Sequence, residues 1–221
     1  MVTARTDKSK PGIAGCSRFL LPTDTPGFRV ASVHDKVGFR MYLQGELDFD
    51  NVKVPVENLL GGKEGGAPGA EGVEAKVELS AHALALSRAA LDAAIKYANE
   101  RVQGGCPIIQ HQAVATMLAD MYLTLQAGRS LLWRVASMTD MGHSDPALIP
   151  ATKVFCADAA LKICLATMEI FGGSGVMREL PIQKYVRDAM VFQHMDSTQQ
   201  VSRIKIGKIL EARSKEGRLS R

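Results

Sequence analysis

The period of the apolar residues changes near residue 62, and that change limits what the chain can fold into more than any other feature. Before it, FLLP, GFRVASV and GELDFDNVKV are short runs rich in β-branched and aromatic residues. Pro11-Gly12, Pro22, Pro26-Gly27 and Gly38 stand between them. Over residues 46–54, Leu47, Phe49, Val52 and Val54 alternate with Glu46, Asp48, Asp50 and Lys53. That alternation predicts an antiparallel strand with one buried and one wet face. Three or four strands fit in this stretch, a sheet that is marginal alone and has open edges.

From Val73 onward the spacing is helical to the end of the chain. Val73, Val77, Leu84, Leu91 and Ile95 mark a stripe with alanine in most of the gaps. This predicts a helix to about Arg101, stopped by Gly104-Gly105 and Pro107. A second helix is predicted over 112–141, ending at Gly142. A third begins after the cap Asp145-Pro146 and runs to Phe171, where Gly172-Gly173 stop it. A short fourth follows Pro181. A last one covers about 198–213, with Val201, Ile204 and Ile209 as its expected core stripe. Long helices joined by short loops pack antiparallel. The expected architecture is therefore mainly α: a C-terminal antiparallel four-helix bundle over 73–221, a Gly-rich linker over 63–72 and a small partial β domain over 1–62.

Composition removes several classes of function. Hydrophobic residues make up 46% and charged residues 23% of the 221 residues, enough apolar material for a core and too much for wholesale disorder. The sequence has no apolar run of about 18 residues, so no membrane-spanning helix is expected. The net charge of +4 comes from interspersed charges, and aromatics are only 5%. That suits an anionic ligand better than a nucleic-acid surface. Cys16, Cys106, Cys156 and Cys164 show no C-x₂-C spacing, so no metal site is expected. Cys156 and Cys164 fall in an apolar helical run and read as buried free thiols, which suits a reducing, cytoplasmic location.

Five segments carry polar groups that chemistry could use. Arg101 at a helix end, a Gly-Gly turn and Gln112 at the next helix start could hold a phosphate through forked donors and free N–H groups. The plainer alternative is a solvated helix–helix turn. Phe171-Gly-Gly-Ser-Gly175 follows a helix rather than a strand, so it is no dinucleotide fingerprint, but it suits a tight turn where backbone approaches a ligand. Asp196 precedes the last helix, either as a base at the helix mouth or, with Ser197 as the other candidate, as a simple N-cap. The charges of 178–188 suit a surface helix. Asp92 is one carboxylate in an Ala-rich helix, solvated or, if inward, in need of a partner.

In this order and spacing the segments resemble the acyl-CoA dehydrogenases. TPGFRVASVHDKVGFR and LDFDNVKVPVENLLG are similar to the strand-and-linker text of that family. YANERVQGGCPIIQHQAVATMLADM is similar to its Y..ER..FG.P...Q.....LADM, and EIFGGSGVMRELPIQKYVRDAMVFQ to its QIFGG.G......E...RDA. HMDSTQQVSRIKIGKIL stands where the family has IYEGTSQIQR..IAR.IL. The resemblance covers nearly the whole chain. The family's N-terminal helical domain, and the Gly-Ser-Asp and aromatic/Thr motifs that hold flavin and substrate carbonyl, have no counterpart here. The resemblance thus implies a second polypeptide that supplies them, or a piece of a longer gene product.

The implied activity is the flavin-dependent α,β-dehydrogenation of an acyl-CoA thioester in fatty acid metabolism, with FAD as cofactor, electron-transferring flavoprotein as partner and a homo- or hetero-oligomeric assembly. Asp196 stands at the family's base position, one methylene shorter than the usual Glu, with Ser197 for its Gly and Thr198 retained; Asp92 is the alternative base. Arg101 and Gln112 match residues that contact FAD, Arg101 reaching the pyrophosphate of a neighbouring subunit. Gly172 and Gly173 match the turn that meets that cofactor, and Thr198 and Gln200 match a T-x-Q contact. Gly104 replaces a family Phe and Glu169 a family Gln. Those two exchanges suit other functions: a catalytically degenerate partner subunit, or a cofactor-free helical oligomerisation module.

Overall fold

The computed structural model describes residues 1–62, 64–65 and 73–217, side chains of the first two of the last stretch excepted. The Gly-rich connector expected at 63–72 therefore lies, apart from Glu64 and Gly65, outside the described residues. The chain divides into two units, residues 1–36 with 40–71, and residues 37–39 with 72–221.

The first unit is built from two antiparallel ribbons. β1 (Val2–Arg5) pairs with β2 (Cys16–Phe19), and β3 (Phe28–Val33) with β4 (Gly45–Phe49). Phe28 faces Phe49 across the second ribbon with ring centroids 5.3 Å apart. Leu20 and Leu60 extend the first ribbon through bonds to Asn58 O and Arg18 O, each 2.9 Å long. The strand expected over 46–54 is shorter than the alternation suggested and ends at Phe49. Its apolar face is not covered: Val30, Val33, Leu47 and Phe49 are all exposed. Asn51 takes a left-handed φ of +48° just after β4, which breaks the extended path where the apolar positions slip from Leu47 and Phe49 to Val52 and Val54.

The second unit holds the long helices α1 (Val73–Glu100), α2 (Gln112–Asp140), α3 (Leu148–Phe171), α4 (Ile182–Phe192) and α5 (Gln199–Lys215). Between α1 and α2, Val102–Gln103 and Cys106–Pro107 close a two-stranded hairpin, β5 and β6. Its turn residues Gly104 and Gly105 have φ of +63° and +85°, the left-handed pair that two-residue hairpins require. Asp145 caps α3 from outside, accepting the N–H groups of Ala147 at 2.8 Å and Leu148 at 3.2 Å.

α3 is the centre of the bundle. It packs against α1, α2, α4 and α5, and Ile149, Cys156, Ala160, Ile163, Cys164, Ile170 and Phe171 are among its buried residues. α1 and α3 run parallel, since Tyr97 near the end of α1 stacks on Phe171 at the end of α3 with centroids 4.0 Å apart. α2 runs antiparallel to both and packs against each. The buried stripe of α1 keeps Leu84 and Leu91 of the expected one, but its other members are Leu79, Ala83, Ala90, Ala94 and Ala98, and Ile95 is 39% exposed. Alanines let α1 and α3 approach closely, so the small residues rather than the large ones define the seam. The α5 expectation holds only at Ile209, which is half-buried. Val201 and Ile204 are exposed, and Gln199, Ser202 and the half-buried Ile206 lie toward α3.

Burial pushes the Cys156 and Cys164 thiols up to about 12, as expected of interior free cysteines. A thiol reagent should label Cys16 and Cys106 in the folded protein and the other two only in denaturant; rapid labelling of four thiols without denaturant would contradict this packing. At the crossing of α1, α2 and α3, a Cβ on Gly128 would sit 2.7 Å from Leu84 Cδ2 and 3.4 Å from Phe155 Cε1. Gly128→Val should cost about 1–3 kcal/mol in chemical denaturation; an unchanged midpoint would show that the seam has slack.

Candidate functional site

Residues 193–198 join α4 to α5, and their backbone is unusual. Asp196 and Ser197 take φ of +47° and +82° in succession. Left-handed conformation costs a residue with a Cβ roughly 1–2 kcal/mol, so two in a row persist only where neighbouring groups hold them. Thr198 ends the turn. Its hydroxyl accepts the Val201 N–H at 3.3 Å and caps α5, so neither Asp196 nor Ser197 is the cap. The Asp196 side chain is thereby left for another use.

Four groups hold the turn. Lys76, in the first turn of α1, pairs with the Asp196 carboxylate at 2.7 Å. The Ser197 hydroxyl lies 3.3 Å from that of Ser202. Lys153 reaches from α3 and donates to Ser197 O at 2.8 Å and to Gln199 Oε1 at 3.1 Å. Gln199 is buried and turns its amide the other way, donating to Val154 O at 3.1 Å and Asp158 Oδ1 at 2.9 Å. Arg203 completes the row with a 2.7 Å bond to Asp158 Oδ2.

Lys153 is fully buried, at 0% exposure. Burial, the largest influence, pulls its ammonium below the usual lysine value; Asp196 and then Asp158 push it back up, while Lys76 and Arg203 lower it further. The Asp196 carboxylate is instead about one-third exposed. The site is therefore a carboxylate at a helix mouth, open to solvent on one side and backed by two lysines on the other.

The residues expected from the sequence fall at two ends of the bundle. Asp196, Thr198 and Gln200 sit beside the N-terminal parts of α1 and α3, with Thr198 and Gln200 exposed. Arg101, Gln112, Gly172 and Gly173 sit at the opposite end, around the stacked Tyr97 and Phe171. Lys153 and Phe171 are 18 positions apart on α3, about 27 Å of helix rise. Asp92 is exposed and 16 positions along α1 from Lys76, about 24 Å away along the axis, so it and Asp196 cannot serve one reacting atom.

The far end presents donors. Arg101 and Gln112 are exposed, and the first turn of the 29-residue α2 has no side-chain cap, which leaves its N–H groups to solvent. Gly172 ends α3 with φ +56°, and nothing lies within 4 Å of where a Cβ would stand on Gly172 or Gly173. A guanidinium, free helix N–H groups and bare glycine backbone suit a diphosphate. Glu169 is exposed on the last turn of α3. In water, two unit charges even 4 Å apart interact by only about 1 kcal/mol, so its repulsion of an anion there is weak.

Lys76, Lys153 and Gln199 were not among the residues expected from the sequence. Arg187 and Asp188 act in the fold: the buried Asp188 carboxylate accepts the Phe39 N–H at 2.6 Å and Arg187 donates to Val37 O at 3.1 Å.

Among the described residues, no helix is long and apolar enough to cross a membrane and no cluster of His, Cys, Asp and Glu could hold a metal ion. The profile of the acyl-CoA dehydrogenase C-terminal domain matches residues 74–211. The chain is 37% identical over 202 residues to an acyl-CoA dehydrogenase of Bacillus subtilis, covering 90% of this chain and 53% of that protein. It is 34% identical to the short-chain specific acyl-CoA dehydrogenase of Megasphaera elsdenii, over 94% of this chain and 54% of the other. Among solved structures, butyryl-CoA dehydrogenase of the same organism superposes with a TM-score of 0.85 at 34% identity, over 95% of this chain and 55% of that one. A structure described as the electron transferring flavoprotein of Acidaminococcus fermentans gives 0.86 at 36% identity, with the same coverage. The chain thus spans about half the length of the curated relatives it matches.

The pH dependence of stability tests the burial of Lys153. Between the lowered value and the ordinary 10.5, the unfolded chain binds more protons than the folded one, so the stability linked to this group rises with pH in that window. Measured against Lys153→Met by chemical denaturation, the wild type should gain stability as the pH climbs toward 10.5; a difference that stays flat would show an ordinary, solvated lysine.

Proposed function

The chain belongs to the acyl-CoA dehydrogenase family, and from that premise we propose that it serves flavin-dependent α,β-dehydrogenation of an acyl-CoA thioester, within a longer chain or beside a second polypeptide. Asp196 is the base that takes the α-proton. The observation that carries this reading is the carboxylate itself: freed from capping by Thr198, partly exposed, and fixed in direction by a clamped left-handed turn. A base must lie within hydrogen-bond reach of the proton it removes, and a side chain with a fixed backbone meets that demand best.

FAD is the cofactor of this reading, and the exposed donors at both ends fit it. In this reading Thr198 and Gln200 contact a cofactor at the Asp196 end. In this reading Arg101, Gln112, Gly172 and Gly173, about 27 Å away along α3, hold the diphosphate of a cofactor bound mainly by another copy. Bound there, FAD supplies the hydride acceptor. This division of contacts calls for an oligomer. Tyr122, Leu123 and Trp133 on α2 and Ile204 on α5, all exposed, give apolar surface for one. Acyl-CoA as substrate, electron-transferring flavoprotein as electron acceptor and a reducing, cytoplasmic compartment complete the proposal; the four free cysteines support that compartment.

The Lys76–Asp196 ion pair favours a second reading, a catalytically degenerate subunit whose carboxylate is only structural. Asp196→Asn in the flavin-loaded enzyme separates the two. For a base, fold and flavin content persist and flavin reduction by acyl-CoA slows about 10²-fold or more. An unchanged rate would remove Asp196 from the mechanism and leave the structural reading standing.

A further inference from the structure

Lys153 is the largest fully buried side chain among the described residues, and its charge has no carboxylate at bonding distance. Interior ammonium groups are kept only where hydrogen bonds and nearby charge offset the loss of water. Here both acceptors, Ser197 O and Gln199 Oε1, belong to the turn that carries Asp196 and to the first residue after its cap. The bond falls on the carbonyl of Ser197, the residue with the larger positive φ of the left-handed pair. A glycine adopts that conformation freely; a serine must be held in it.

We infer that Lys153 is a positioning residue for the reaction: its ammonium holds the Ser197 carbonyl, and so fixes where the Asp196 carboxylate points, without touching substrate itself. The inference rests on the reading of Asp196 as the base. Lys76 grips the carboxylate directly and has to release it for proton transfer, whereas Lys153 grips only backbone and amide and stays in place throughout. The two lysines thus divide the work between side chain and main chain.

The test uses Lys153→Met and Lys153→Gln in the flavin-loaded enzyme, the second keeping a neutral N–H donor. Three things are measured: the flavin reduction rate at saturating acyl-CoA, the substrate concentration for half-saturation, and backbone hydrogen exchange over residues 196–199. For a positioning residue, Lys153→Met slows reduction by roughly 10–10²-fold, leaves half-saturation and flavin content unchanged, and speeds exchange in that turn. Lys153→Gln lies between it and the wild type. Combining Lys153→Met with Asp196→Asn slows the reaction no further than Asp196→Asn alone. If Asp196→Asn abolishes reduction while Lys153→Met folds and leaves both rate and exchange unchanged, the positioning role is overturned and the base survives. If Asp196→Asn itself changes nothing, the base reading fails, and the exchange measurement still reports whether Lys153 holds the turn. Failure of both neutral variants to fold would also overturn the inference, because Lys153 would then be a residue of the fold as a whole.

Discussion

The burial of α3 is the constraint on which the helical unit depends. Four helices pack on it, and a helix covered on most sides must be apolar or small away from its one exposed stripe, here Asp158, Lys162, Leu165 and Glu169. Ala157, Ala159 and Ala160 supply the close approach, and Ile163, Ile170 and Phe171 the bulk. Because α1 and α3 run parallel, two chemically different ends result. One gathers the start of α1, the start of α3 and the turn before α5. The other gathers the hairpin, the start of α2 and the glycines after α3. Function follows from this polarity: a carboxylate faces solvent at one end and phosphate-type donors at the other, too far apart to serve a single reacting group.

Helix boundaries were legible because local chemistry sets them. Gly104-Gly105, Asp145 and Gly172 act through positive φ or capping, and these depend little on the rest of the fold. Helix faces were less legible. On α1 the buried stripe follows the alanines, since a seam this tight admits small residues and turns Ile95 outward. On α5, Val201 and Ile204 of the expected stripe are exposed while Ile209 is half-buried, because α3 presents a charged group near the start of α5 that Gln199 answers better than an apolar side chain. The β text overstated its strand for a similar reason: alternation reports which face could be buried, and the ribbon leaves that face open.

Of the site, Asp196 was found through its place in a recognisable order of segments, not through spacing or composition. The residues that hold it were missed, although one left a signal. Lys153 is one of two lysines in the apolar run of α3, and helical spacing sets it on the same face as Cys156, Ala160 and Ile163. A lysine on the buried face of a helix demands acceptors from whatever packs there. Lys76 left none, since a lysine in a first helical turn is ordinary. Nothing in the sequence announced that Asp196 and Ser197 would be left-handed. That follows from joining α4 to a capped α5 within a few residues while Lys153 takes the intervening carbonyl.

The polar seam between α3 and α5 also decides where α5 can sit. An apolar seam tolerates sliding, since one leucine contact replaces another at similar energy. Here a slip of one turn, about 5.4 Å, would take Gln199 off Val154 O and Asp158, separate Arg203 from Asp158, and break the 2.7 Å bond between Arg213 and Asp145. It would also leave the Lys153 ammonium buried without acceptors, the costliest of these losses. The register of α5 is therefore set by discrete bonds spread along its length, from Gln199 to Arg213. Since Thr198 caps that helix, fixing its register fixes where the preceding turn begins, and with it the place of Asp196. Stability gained from a larger apolar contact would not have specified that position, and a site that depends on the direction of one short carboxylate needs the specification more than the area.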